Sequence, residues 1–209
     1  MQIACVSAMK MEISWLLGRL VSVRKHKVQG GGRLWTGRLD RHQVALFCCG
    51  VGPEKARAGM LNLSEIFEAQ RFYLAGVCGS LTGKLGIGTP VVASAVCSSY
   101  DQASQTAIEL DLPDMEVLDG VVPGITPASG LFISHDKPVL SGSKKRSLHE
   151  RYAAVCVDME AWEVDRFCRE RGLPLTVIKA VSDTADHLAL LDFCLHARQA
   201  AKTSCRLIH

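Results

Sequence analysis

Carboxylates at the ends of apolar strands are the residues of this chain best suited to chemistry. Residues 155–157 form a short apolar run that leads into Asp158 and Glu160, and a second apolar strand ends at Asp183. Both strands are of the type found in parallel sheets, and one helix joins them. We therefore expect their acids to meet at the carboxyl edge of a sheet, where open α/β folds bind ligands.

Each acid also has a purely structural explanation. Glu12 lies in the first turn of a predicted helix, where a carboxylate suits the helix dipole. Asp158 and Glu160 fit an N-cap and a first helical turn. Asp183 with Asp186 fits a capping pair before the last helix. Capping explains each acid alone, but three separate strand ends that all present carboxylates favour a shared pocket.

Composition narrows the class of protein. The 209 residues are 48% hydrophobic and 22% charged, with a formal net charge of +3, and no linker or repeat divides them. This balance predicts a single globular domain over 1–209 and argues against nucleic-acid binding. No apolar run approaches the ~18 residues of a membrane span.

The cysteines and histidines do not indicate a metal. The nine cysteines form no CxxC pair, and the seven histidines show no HxxxH or HExxH pattern. Most cysteines lie inside apolar runs, as small core residues do in a reducing compartment, so a cytoplasmic protein is expected. The glycine-rich turns spell neither a dinucleotide fingerprint nor a P-loop, and no cofactor is predicted.

Hydrophobic periodicity predicts strands that alternate with helices. The chain opens with a strand at 3–7 and a helix at 10–20, followed by three hairpin-connected strands between residues 21 and 49 and a helix after residue 53. Later strands are predicted at 72–76, 91–97, 131–134, 153–157 and 175–181, and helices at 142–151, 159–171 and 189–206. Residues 101–128 are predicted to form an irregular active-site flap. The pattern predicts an α/β fold with a mixed sheet, because the early hairpins must be antiparallel.

Five short motifs resemble the nucleoside phosphorylase and nucleosidase superfamily, which includes methylthioadenosine/S-adenosylhomocysteine nucleosidase. In chain order they are 8–12 (AMKME), 49–53 (CGVGP), 75–81 (AGVCGSL) with 86–88 (GIG), 157–161 (VDMEA) and 181–186 (VSDTAD). The resemblance implies a single-domain, three-layer α/β/α fold with a mixed, barrel-like central sheet. Asp158 and the stretch 52–57 are most similar to the hopanoid-associated branch, which removes adenine from adenosylhopane.

The resemblance also implies roles for individual residues. Asp183 would protonate N7 of a departing purine, and Glu12 would activate the attacking water. Glu160 would bind the ribose hydroxyls, with Met159 packed on the sugar face. The other implied substrate contacts are Asp158, Ser182, Val77, Cys78, Gly79 and Val139. A carboxyl group that acts as an acid at neutral pH needs a raised pKa, so burial or neighbouring carboxylates must act on Asp183.

Two departures from the family pattern concern substrate choice. Val77 stands where nucleosidases often have serine, and the loop 137–140 (KPVL), which contains Val139, lacks the aromatic residue expected for base stacking. A base can still stack on aliphatic carbons, and an apolar substituent on the nucleoside suits this loop equally well.

The expected activity is hydrolysis of a purine nucleoside, in the first place an adenosyl nucleoside. Phosphorolysis by an enzyme of the same fold is the first alternative, with phosphate as a second small-molecule partner. Glu12 opposes it, because a carboxylate near the attacked carbon repels phosphate and residues 76–81 contain no arginine. A nucleoside-binding protein without catalysis is the second alternative. The resemblance further implies a homodimer, the commonest symmetric assembly.

Overall fold

The computed structural model describes residues 1–101, 106–113, 115, 118, 124 and 126–208. The strands are β1 (Gln2–Ser7), β2 (Val21–His26), β3 (Arg33–Leu39), β4 (His42–Cys48), β5 (Arg71–Ser80), β6 (Pro90–Ser98), β7 (Ile108–Glu109), β8 (Ala128–Ser134), β9 (Cys156–Asp158) and β10 (Leu175–Asp183). The helices are α1 (Lys10–Leu17), α2 (Pro53–Ser64), α3 (Gly142–Tyr152), α4 (Ala161–Glu170) and α5 (Ala189–Arg206).

The sheet is mixed and closes on itself. Strands β5, β10, β6, β8 and β9 form a ring in which β9 pairs again with β5. From β5 the sheet extends outward through β1 and β4, which are parallel to it, and then through the antiparallel strands β3 and β2. This arrangement confirms the predicted α/β class with a barrel-like central sheet and antiparallel early hairpins.

Two hydrophobic clusters hold helices against the sheet. Met60 of α2 and Trp162 of α4 belong to the larger cluster, together with strand residues such as Phe72. Ile13 of α1 and Cys205 of α5 belong to a second cluster. Burial of apolar side chains in both clusters supplies the main driving force for this layered packing.

The two acid-bearing strands were predicted to be parallel neighbours in the sheet, but they are not. β10 is parallel to β5, whereas β9 is antiparallel to β5 and parallel to β8. Gly79 of β5 is nevertheless the register partner of both Asp183 and Val157. The carboxyl ends of β9 and β10 therefore meet on either side of β5 because the ring is closed.

Part of the predicted flap 101–128 lies outside the described residues. Within the described part, β7 pairs antiparallel with β6, and Leu118 packs with Val92 and Ile178. These contacts attach the described part of the segment to the sheet. Its role as a flap stays a prediction.

The last helix packs closely on the strands that carry the site. Ala197, Ala200 and Ala201 of α5 are buried with Val77 of β5 and Ala180 of β10. Their small side chains let the helix approach the sheet. Within the part of the chain that the structure describes, no helix is both long and apolar enough to cross a membrane.

Candidate active site

A cavity of about 310 Å³ opens where β1, β5 and β10 end. All ten candidate site residues line it: Glu12, Val77, Cys78, Gly79, Val139, Asp158, Met159, Glu160, Ser182 and Asp183. The described residues between 101 and 127 are not part of its lining. The structure thus brings together residues from five separate parts of the sequence.

One end of this cavity is organised around a buried lysine, and we call it the Lys179 end, defined by Lys179, Asp158, Glu160 and Glu12. The Nζ atom of Lys179 lies 2.6 Å from Asp158 Oδ2 and 3.1 Å from Glu160 Oε2. Burial lowers the pKa of Lys179, but the attraction of Asp158, Glu160 and Glu12 outweighs it, so the net pKa is raised. Lys179 is therefore a fixed positive charge.

The two carboxylates beside Lys179 are held by further hydrogen bonds. The Gly52 N–H donates to Glu160 Oε1 over 3.0 Å, from a turn in which Gly52 has a φ of 104° that favours glycine. Ser134 Oγ donates to Asp158 Oδ1 over 2.6 Å, and the Ala161 N–H donates to Asp158 Oδ2 over 3.0 Å. Asp158 therefore accepts the first N–H of α4 and also belongs to the site, but the N-cap residue of this helix is Glu160, which the sequence analysis placed in the first turn.

Glu12 combines a helix-start role with a place in the cavity. Its Oε2 accepts the Met9 N–H at 2.7 Å, and its Oε1 accepts the Val77 N–H at 3.1 Å. Burial raises the pKa of Glu12 to about 7; Lys179 lowers it, and Glu160 raises it further. A carboxyl group with this pKa can accept a proton near neutral pH. Gly76 matters here because a Cβ at that position would collide with the Glu12 carboxylate.

The other end of the cavity is the Asp183 end, defined by Asp183, Ser182, Gly79 and Ala185. Ser182 Oγ donates to Asp183 Oδ2 over 2.7 Å, and the Ala185 N–H donates to Asp183 Oδ1 over 2.9 Å. Burial raises the pKa of Asp183, and these two hydrogen bonds oppose the rise without cancelling it. Among the described residues no cation forms an ion pair with Asp183. This carboxyl group therefore lacks the compensation that Lys179 gives to the others.

Sequence reasoning missed Lys179, although a signal was present. Lysine is almost never fully buried without a partner, so a lysine inside the apolar strand 175–181 indicates a carboxylate nearby. It also missed Ser134, which donates to Asp158 and accepts the Trp162 N–H at 2.9 Å. Phe193 and Leu190 of α5 also line the cavity. A serine at a strand end and apolar residues on an amphipathic helix carry no distinctive sequence signal.

Comparison with known proteins gives the family. The family model of the phosphorylase superfamily matches residues 2–209. The chain belongs to this superfamily. A 5′-methylthioadenosine/S-adenosylhomocysteine nucleosidase of Actinobacillus succinogenes is 25% identical to it over 223 positions, which cover 100% of this chain and 96% of the relative. The predicted family and fold are confirmed.

The protein is similar to the solved structures of two further proteins over nearly the whole length of each chain. S-adenosylhomocysteine nucleosidase of Streptococcus pyogenes, in complex with 5-methylthiotubericidin, has a TM-score of 0.91 at 26% identity and covers 100% of this chain and 94% of its own. The 5′-methylthioadenosine/S-adenosylhomocysteine nucleosidase of Neisseria meningitidis, in complex with methylthio-immucillin-A, has a TM-score of 0.91 at 23% identity. It covers 99% of this chain and 96% of its own.

The charge balance of the cavity bears on the choice between phosphorolysis, after which the superfamily is named, and the nucleosidase reaction, after which the relatives are named. Among its described lining residues the acids are Glu12, Asp158, Glu160 and Asp183, and the only cation is Lys137. Lys179 lies behind this lining and is already engaged by two carboxylates. Such a cavity favours positive charge on a bound sugar and disfavours a phosphate dianion.

Proposed function

We propose that this protein hydrolyses the N-glycosidic bond of a purine nucleoside and releases the free base. The observation that carries the proposal is the placement of Glu12, Glu160 and Asp183 around one cavity of about 310 Å³. A carboxyl group with a raised pKa stands at one end and a second, with a pKa of about 7, stands at the other. The nucleoside analogues bound in the related structures support a ligand of this class.

In the proposed reaction Asp183 donates a proton to N7 of the purine as the bond between C1′ and N9 breaks. The bonding electrons leave with the base, which departs as a neutral molecule instead of an anion. Burial raises the pKa of Asp183, which is the direction that favours the protonated form needed for this step.

The sugar develops positive charge as the base leaves, as in other glycoside hydrolyses. The acidic Lys179 end suits this charge. In the proposed reaction Glu160, which Lys179 and the Gly52 N–H hold in place, accepts hydrogen bonds from the ribose hydroxyls. Glu12 removes a proton from water, whose oxygen forms the new bond to C1′. The products are the free purine and the sugar with a hydroxyl at C1′.

Water is the proposed nucleophile because the cavity offers phosphate little attraction. Its described lining contains four carboxyl groups and no arginine. Phosphorolysis would require an anion to approach C1′ beside Glu12, against the repulsion of that carboxylate. Phosphorolysis is therefore the weaker candidate. Binding alone would not require both an acid and a base in one cavity, which argues against a binding protein.

The experiment that tests the function is detection of free purine by chromatography, with and without phosphate. The panel consists of adenosine, methylthioadenosine, S-adenosylhomocysteine, inosine and a 5′-alkyl adenosine as an analogue of adenosylhopane. Release in phosphate-free buffer is expected. Release that requires phosphate would make the enzyme a phosphorylase, and tight binding without any release would make it a binding protein.

We also propose a homodimer. Leu140 and Leu190 line the cavity but remain 42% and 61% exposed, and Leu191 and Leu195 of α5 are 57% and 66% exposed. A second copy would cover these leucines and close the rim of the cavity. Sedimentation of the wild type as a dimer is expected, with dissociation when Leu191→Glu is combined with Leu195→Glu; a monomeric wild type would contradict the proposal.

We also propose that the protein is located in the cytoplasm. All nine cysteines lie in described residues and none forms a disulfide, while eight of them are buried. Free thiols in this number suit a reducing compartment.

A further inference from the structure

A second cavity of about 610 Å³ lies beside the active site, and three cations stand on its walls. We call it the basic groove and define it by Lys10, Arg33 and Lys55. Its floor includes Cys48 at the end of β4. It therefore opens at the same edge of the sheet as the active-site cavity.

Two of the cations approach the groove from one face of the sheet. Lys10 Nζ lies 5.8 Å from the centroid of the Trp35 ring. Arg33 precedes Trp35 by two positions on β3 and so projects from the same face. Arg33 is also the register partner of Cys48. Burial raises the pKa of the Cys48 thiol to about 11, and the positive charges of Arg33 and Lys10 oppose this rise.

The third cation comes from α2. The side chain of Lys55 lies against Gly50. A Cβ on that glycine would come within 2.7 Å of Lys55 Cδ. Glu54 is the one acidic residue among the described lining of the groove. Within the described chain, none of the three cations forms an ion pair with a carboxylate. A concave surface with three uncompensated cations attracts an anion.

The groove and the active site share a wall. Ala8 and Met9 line both cavities, and Lys10 follows them directly. Val51 lines the active site, and its neighbour Gly50 lines the groove. The two cavities therefore adjoin at Ala8 and Met9 and at the Gly50–Val51 turn.

In the proposed function, the 5′ end of the nucleoside faces the wall that the two cavities share. With the purine at Asp183 and the ribose at Glu160, the 5′ carbon is the part of the sugar that carries a variable substituent and points away from the base. We propose that the basic groove binds an anionic group, a carboxylate or a phosphate, at the far end of the 5′ substituent. This inference rests on the proposed function and extends it to the class of substrate.

The test uses matched pairs of 5′-alkylthioadenosines that end in either a carboxylate or a methyl group. Arms of two to six methylenes cover the path from the ribose to the groove, and kcat/KM for adenine release is measured in phosphate-free buffer. At the best length we expect the carboxylate to be favoured about three- to thirtyfold, the range for partly exposed charge pairs that act together. Equal values at every length, or a preference for the methyl group throughout, would overturn the groove while leaving nucleosidase activity established.

Variants of the groove test whether its cations cause the preference for the carboxylate substrates. Combining Arg33→Gln with Lys55→Gln is expected to reduce the ratio between carboxylate and methyl substrates to within about twofold. The matched control is Arg38→Gln, which removes an exposed arginine of the same strand outside the groove and should keep the wild-type ratio. An unchanged ratio in the double variant would place the anion elsewhere and overturn the proposal.

Two further results separate the groove from the proposed function. If no member of the panel releases adenine, calorimetric affinities of the same pairs decide: a carboxylate preference that the double variant loses supports the groove, and equal affinities overturn it. Inorganic phosphate that competes only with the carboxylate substrates also supports it. Turnover that requires phosphate would overturn the proposed hydrolysis, and the calorimetric affinities would then decide the groove on the same criteria.

Discussion

The Lys179 end and the Asp183 end of the cavity both hold buried carboxyl groups, but they differ in their compensating charges. Asp158 and Glu160 share the ammonium group of Lys179 and accept hydrogen bonds from backbone N–H groups. Asp183 also lines the substrate cavity, but among the described residues its carboxylate accepts hydrogen bonds only from a hydroxyl and one N–H. A buried carboxyl group beside a cation stays ionised and can bind substrate, whereas one without a cation is better suited to act as an acid. The position of one lysine therefore gives two different roles to the same kind of side chain.

The largest expected effect concerns Asp183, because the contrast between the two ends requires that this residue is the general acid. Asp183→Asn keeps the size of the side chain but cannot donate a carboxyl proton, so kcat for purine release should fall about 10²–10⁴-fold. Substrate affinity, measured by calorimetry, should change little. Asp186→Asn, three residues on, is the matched control and should keep most of the activity; near-normal turnover of Asp183→Asn would remove its role.

Removal of the cation tests the other end. Lys179→Met leaves Asp158 and Glu160 buried without their partner, and the free energy of unfolding should fall by about 3–5 kcal/mol. Urea denaturation measures the loss. Lys137→Met removes an exposed lysine from the same cavity and should change stability by less than about 0.5 kcal/mol. Equal, small effects of both changes would show that the ion pairs contribute little.

Glu12 occupies an intermediate position, because it lies near Lys179 but touches two backbone donors instead. Glu12→Gln cannot take a proton from water, and kcat in phosphate-free buffer should fall about 10²-fold. Glu65→Gln, an exposed carboxylate outside the cavity, serves as the control. Wild-type turnover in the Glu12 variant would assign activation of water to another group.

The smallest effect concerns the dependence of stability on pH. Folding raises the pKa of Glu12 from 4.5 to about 7. The folded protein therefore binds more protons between these values, so the free-energy contribution of Glu12 is fully present below about pH 4.5 and is lost as pH rises through 7. Relative to Glu12→Gln, wild-type stability should fall by about 2–3 kcal/mol between pH 5 and pH 8. Parallel curves in urea denaturation would contradict the raised pKa.

Much of the fold could be predicted because local patterns decide it. The predicted helix 189–206 matches α5 (Ala189–Arg206), and the predicted helix 159–171 contains α4 (Ala161–Glu170). The strand predicted at 72–76 extends in the structure to β5 (Arg71–Ser80), because its glycines concealed a run that pairs on both sides. Periodicity finds elements, but a strand that pairs through glycines is recognised only with its partners.

The sequence by itself determined which acids stand at strand ends and which family the chain resembles, because short motifs and apolar periodicity are local properties. Only the tertiary structure decided their environments. Closure of the sheet brings β9 and β10 to Gly79 from opposite directions. Lys179 is buried beside Asp158 and Glu160, and no cation in the described part of the chain pairs with Asp183. A pKa depends on distances, charges and solvent exclusion in three dimensions, and residue spacing along the chain does not contain them.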